Sequence, residues 1–278
     1  MRTIQKALPL LAFGLLALDA TGQTAQSGKG FTQLDKVLAA KELRVCIWPS
    51  YYNITYRNPK TRTLSGIDID IAQFLAQELN VRLRFIDSSF ALLADNLAGD
   101  RCDIAMHAVG ITADRKRKMQ FTQPYLRSDL YAIVPRANTV VREWADLDRP
   151  GRVIAVQAGT WMEPAVKSRL KHAQLLLVAA PMTRENEVES GRADAFLTDF
   201  PYGQKVVDTT EWAKIIGPAK PYLLTDYAYA LPLGDDSLRN RVDQFVSAIR
   251  NDGRLAELAR KYNLDPILIA ADALPPVK

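Results

Sequence analysis

Short apolar runs recur along this chain at residues 43–47, 81–86, 104–109, 152–157, 174–178 and 195–197, each closed off by polar or turn-forming residues. Runs of that length with such flanks predict buried strands. Between them the apolar positions follow the longer helical period over 31–40, from 67 to about 80, 92–98, from 161 onward, 184–190, and 238–261 with an interruption at Gly253. Strands alternating with helices predict an α/β fold. Two further stretches, 125–134 and 222–231, read as extended connections.

The most informative stretch is CDIAMHAVGITADRKRKMQFTQPY, residues 102–125. Its strand breaks at Gly110, and Thr112 stands where a helix N-cap would, with Ala113, Asp114 and Arg115 in the first turn. Free backbone N–H groups and a guanidinium then face one space, which suits a carboxylate. An arginine fork gives a carboxylate two parallel charge-assisted hydrogen bonds, which lysine cannot, and a glycine at the strand end lets a ligand approach bare backbone. Gly110 and Arg115 are therefore candidate binding residues, whereas Lys116, Arg117 and Lys118 read as a solvated helix face. The run 152–157 followed by Ala158, Gly159 and Thr160 ahead of a helix predicts a second anion-facing edge.

GITADRKRKMQFTQPYL resembles the signature of the family 3 periplasmic solute-binding proteins, the class II amino-acid receptors of ABC importers, in which G-I-T-x-x-R precedes F-[ST]-x-P-Y. GIDIDIA at 66–72 and G-R-A-D-A-x-x-x-D at 191–199 are two further marks, and the resemblance runs from Leu43 to about Tyr262. It implies a two-lobe clamshell, each lobe a mostly parallel sheet flanked by helices, joined by two crossing strands. Lobe 1 is expected over 31–128 and 228–278, and lobe 2 over 129–227. The resemblance implies that Arg115 holds the ligand α-carboxylate, that Thr160 shares it from the opposite edge, and that Asp199 receives the ammonium. Tyr51 falls where an aromatic ring packs over the ligand, and Phe90 where an apolar side chain is offered. Trp48 falls where members that bind cationic amino acids often carry Asp, though Asp226 and Glu163 remain carboxylates that could reach the pocket. His107 could contact the ligand side chain or be a satisfied polar group. Asp68 and Asp70, at a helix start, read as capping and dipole groups rather than as metal ligands or a catalytic pair.

A chain of 278 residues with 48% hydrophobic residues can bury a core in two modest lobes. The net charge of +5 is slight and interspersed, without the aromatic interleaving of a nucleic-acid groove. Arg2 and Lys6, the apolar run 7–18 and the small residues after it read as a secretory signal peptide over 1–22, and the mature chain is expected in the periplasm. Export permits a disulfide between Cys46 and Cys102, and the resemblance makes their strands neighbours; two buried thiols are the alternative.

These marks together lead to the expectation of a monomeric, non-enzymatic receptor. It would bind a neutral polar, aromatic or acidic amino acid, use no cofactor or metal, and serve an inner-membrane ABC permease and its ATPase. The rival is an exported cyclohexadienyl (arogenate) dehydratase, whose GITADR-like and GRADAFLTD-like marks the chain also resembles. Such an enzyme needs a proton donor beside the leaving hydroxyl, and Phe200, Pro201 and Tyr202 offer no carboxylate after Asp199.

Overall fold

The computed structural model describes residues 31–269; the expected signal peptide lies outside the described residues. In chain order the elements begin with α1 (Gln33–Ala40), β1 (Glu42–Ile47), β2 (Ser50–Tyr51), β3 (Thr55–Arg57), β4 (Leu64–Ser65), α2 (Ile67–Leu79) and β5 (Arg82–Asp87). They continue through α3 (Leu93–Ala98), β6 (Ile104–Gly110), α4 (Ala113–Lys116), β7 (Gln120–Phe121), β8 (Leu126–Ser128) and β9 (Tyr131–Pro135). Next come β10 (Val153–Gln157), α5 (Met162–Lys167), β11 (Gln174–Val178), α6 (Arg184–Glu189), β12 (Ala195–Thr198), α7 (Phe200–Thr209) and β13 (Ala213–Ile216). The last elements are β14 (Thr225–Leu231), α8 (Ser237–Asn251) and α9 (Arg254–Lys261).

Two sheets carry the fold. The first has the order β5-β1-β6-β14-β7, with β8 also paired to β14; the second has the order β11-β10-β12-β9-β13. In each, three strands run parallel through helical crossovers and the connecting strands enter antiparallel. This is the two-lobe clamshell. The chain passes from the first sheet to the second between β8 and β9, and returns ahead of β14. That strand already pairs with β8 at Thr225, upstream of the boundary drawn at 228.

Strand β6 is buried at every position, which is why its sequence reads as a continuous apolar run. Helix α2 lays Ile67, Ile69, Ile71, Ala72 and Leu75 against the same sheet, all at most 2% exposed. Burying a large aliphatic side chain completely stabilises by roughly 1.5 to 3 kcal/mol, so this face is the main attachment of α2. Its N-cap is Gly66 at φ +133°, where a Cβ would stand 2.2 Å from the Ile54 carbonyl oxygen. Cys46 and Cys102 form a disulfide, which resolves the alternative left by the sequence.

Asp68 and Asp70 stand in the first turn of α2, as the dipole reading expects, but neither makes the capping hydrogen bond expected of them. Asp70 accepts hydrogen bonds from Lys261 Nζ at 2.7 Å and Tyr262 Oη at 2.8 Å, tying α2 to the C-terminal helix. Asp68 is wholly buried and points the other way, into the first sheet.

Candidate functional site

The site begins at the end of β6, where Ala108 takes a left-handed conformation at φ 48° and the pairing with β14 slips register between Ala228 and Ala230. Such a conformation costs a residue with a Cβ roughly 1 to 2 kcal/mol. Asp68 holds it in place: its Oδ2 accepts the Ala108 N–H at 2.9 Å, and its carboxylate also accepts from Tyr125 Oη at 2.7 Å and Tyr229 Oη at 3.0 Å. Burial pushes the Asp68 carboxyl up to about 7, against the pull of these three donors.

Beyond the distortion, Thr112 Oγ1 caps α4 by accepting the Arg115 N–H at 3.1 Å. Arg115 is buried although Lys116, Arg117 and Lys118 are exposed, as the sequence anticipated for that run. Its Nη1 donates to the Gly110 carbonyl at 3.0 Å and its Nη2 reaches the Gly159 carbonyl of the second lobe at 3.5 Å. No carboxylate answers it within those bonds, and burial lowers its pKa to about 10. At Gly110 a Cβ would lie 2.6 Å from Trp161 Cδ1, so the missing side chain admits an indole of the second lobe.

On the second lobe, β12 delivers Asp199 to the N-terminus of α7, where Oδ1 accepts the Tyr202 N–H at 3.3 Å. Its Oδ2 accepts from Tyr51 Oη and, at 2.9 Å, from Tyr227 Oη, both hydroxyls of the first lobe. Burial raises the Asp199 carboxyl, and the two tyrosine bonds oppose that shift. Tyr51 thus places its hydroxyl on Asp199 and its ring against Trp48 and Phe90. Thr160 is buried beside the cleft, and its hydroxyl donates to the Gln157 carbonyl at 2.8 Å.

Trp48, Tyr51, Phe90 and Tyr202 form an aromatic box. Trp48 stands 5.3 Å from both Tyr51 and Phe90 and stacks on Tyr202 at 6.2 Å between ring centres. With Thr160, Trp161 and Asp199 these rings line a nearly filled cavity of about 10 Å³. A larger cavity of about 380 Å³ continues past Trp48, Phe90 and Tyr202. His107 does not reach either. It is fully buried under the Phe90 ring, 5.0 Å between centres, with Nδ1 3.2 Å from the Cys46 carbonyl oxygen and Nε2 unpartnered. Burial lowers its pKa to about 4, so it is neutral. The two carboxylates held in reserve are also engaged: Asp226 pairs with Arg127, and Glu163 accepts the Gly159 N–H.

Sequence reasoning missed Tyr227, Arg184 and Glu185. Tyr202 Oη donates to Glu185 Oε1 at 2.7 Å, which brings a carboxylate close to the residues after Asp199. Arg184 lines the inner cavity.

The pattern of the bacterial extracellular solute-binding proteins, family 3, matches residues 43–265. The chain belongs to that family. A cyclohexadienyl dehydratase of Pseudomonas aeruginosa is 28% identical over 257 residues, covering 92% of each chain. The L-cystine-binding protein TcyJ of Escherichia coli K12 is 25% identical over 259 residues, covering 93% of this chain and 94% of its own. Among solved structures, an ancestral amino acid-binding protein described as a precursor of cyclohexadienyl dehydratase superposes with a TM-score of 0.76 at 28% identity, over 83% of this chain and 99% of that one. Among the described residues no helix is long and apolar enough to cross a membrane.

Proposed function

We propose that this protein is a monomeric periplasmic receptor that binds an amino acid between its lobes and delivers it to an ABC permease and ATPase, without catalysis. The observation that carries the reading is the pairing of two buried groups of opposite charge on opposite lobes. Arg115 bonds only to carbonyl oxygens, and Asp199 bonds to hydroxyls and a backbone N–H. An α-carboxylate answers the first and an ammonium the second, so one zwitterion bridges the lobes and favours closure. Thr160, Tyr51 and Phe90 complete the wall, while His107 supports Phe90 from behind. Lysine and arginine are expected to bind at least tenfold more weakly than the best ligand, since Trp48, Tyr51 and Phe90 carry no carboxylate and the nearby Glu185 already accepts from Tyr202 Oη, whose ring also meets Lys205.

A second reading, an exported cyclohexadienyl or arogenate dehydratase, draws support from Glu185. This carboxylate stands near the cleft with Oε2 buried and unpartnered. Its nearest connection to the inner cavity is the Tyr202 hydroxyl, which burial pushes up to about 12, a poor proton donor at neutral pH. A thermal-shift screen with the common amino acids, prephenate and arogenate separates the two. One or a few stabilising amino acids are expected, since a ligand at about 100 times its Kd adds nearly 3 kcal/mol. Turnover of prephenate to phenylpyruvate overturns the receptor reading.

A further inference from the structure

Arg184 is the first residue of α6, and the polar run RENEVE in which it stands reads as a surface helix. It is nonetheless 2% exposed. Its guanidinium carbon lies 4.3 Å from the centre of the Tyr202 ring and 5.1 Å from that of Phe196, and Nη1 donates to the Leu197 carbonyl at 3.1 Å. Nε is buried without an acceptor. Two ring faces and one carbonyl are thin compensation for a buried guanidinium, whose removal from water is costly unless it is paired. The same side chain lines the inner cavity together with Trp48, Tyr51 and Asp199.

The charges around this cavity do not balance. Glu185 lies at the hydroxyl end of Tyr202, and the Lys205 ammonium lies 4.8 Å from the centre of the same ring, so these two opposite charges share one neighbour. His107 is buried and neutral. Within the cavity's lining Arg184 faces Asp199, and Arg115, which stands outside that lining on the Gly110 and Gly159 carbonyls, brings the cleft to one positive charge in excess. A zwitterionic amino acid with a neutral side chain adds no net charge and leaves the excess in place. A ligand with a second carboxylate removes it.

We propose that Arg184 binds a distal anionic group of the ligand, which makes the ligand class an amino acid with an acidic side chain. This rests on the receptor reading and narrows it. The guanidinium, stacked on the Tyr202 ring of the aromatic box, keeps a buried Nε donor without an acceptor, which a carboxylate can answer.

The test uses isosteric pairs that differ in distal charge: titration calorimetry of the full protein with L-glutamate against L-glutamine and L-aspartate against L-asparagine, and with L-2-aminoadipate for length. The better acid is expected to bind at least tenfold more tightly than its amide. Arg184→Gln is expected to bring that ratio within threefold, and Arg184→Lys to retain part of it. An amide that binds the wild-type protein within threefold of its acid, or lysine or arginine as the tightest ligand, overturns the role of Arg184 while leaving the receptor reading intact. The absence of any amino-acid ligand in the wider screen overturns both. The wild-type ratio decides even if Arg184→Gln fails to fold.

Discussion

Replacing both Cys46 and Cys102 by alanine tests how far the first lobe depends on its cross-link. The disulfide joins the end region of β1 to the residue pair ahead of β6 across a sequence separation of 56 residues. Closing a loop of that length removes about 14 cal/mol/K of unfolded-chain entropy, or about 4 kcal/mol at 25 °C. Both sulfurs sit among Leu93, Leu97, Ala105, Val109 and Met119, so their loss also leaves a small void that adds to the cost. For a domain of this size each kcal/mol moves Tm by about 2 to 4 °C, and the double variant is expected to melt about 8 to 16 °C below the oxidised parent. Urea denaturation without reductant, alongside scanning calorimetry, gives both numbers. A loss below about 1 kcal/mol with an unchanged m-value refutes the loop-entropy account. Alkylation of two thiols in the unreduced parent, read by mass, refutes the disulfide itself.

Arg115→Ala is expected to remove amino-acid binding, because truncating one partner of a buried charge pair costs about 2 to 5 kcal/mol, while circular dichroism stays native. Calorimetric affinity within threefold of the parent removes Arg115 from the site. Gly110→Ala drives a Cβ to within 2.6 Å of the Trp161 indole and is expected to destabilise by about 1 to 3 kcal/mol and weaken binding, both read by ligand-dependent melting; unchanged values show that Trp161 can step aside. Asp68 binds its proton more tightly folded than unfolded, so its contribution to stability declines as pH rises from about 4 to about 7. His107 has the opposite sign: its depressed folded pKa of about 4 makes stability rise over pH 4 to 6.5. Asp68→Asn lacks the declining term, so its deficit relative to the parent is expected to shrink between pH 4.5 and 7.5 in denaturant titrations; a constant deficit contradicts the buried, proton-holding carboxyl.

The sheets were legible because their strands are either apolar throughout, as in β6, or bounded by turn residues, as in β10. Arg115 could be singled out from its basic neighbours because helix capping by Thr112 fixes which side chain of the first turn faces the strand end. The hairpin β2 to β4 was not legible, since strands of two or three residues carry no periodicity. Asp68 was misjudged because position at a helix start says nothing of the Ala108 amide and two tyrosine hydroxyls that converge on it from distant segments. Arg184 was hidden by its polar neighbours, which predict exposure for the whole turn, whereas Phe196 and Tyr202 bury this one residue. For Asp68 and Arg184 a contact remote in sequence overruled a local pattern.

Tyr51 and Tyr227 both place their hydroxyls on Asp199 from across the cleft. An incoming ammonium therefore meets a carboxylate already occupied, and the measured affinity is the difference between two latched arrangements rather than the worth of one. If the empty molecule spends much of its time latched, only the unlatched fraction admits cargo, and apparent affinity falls in proportion to that fraction. Phenylalanine at position 51 or 227 removes an impostor for the ligand and a brace for the lobes in the same step. Under the receptor reading proposed above, the latched share sets the background against which a loaded molecule has to be recognised.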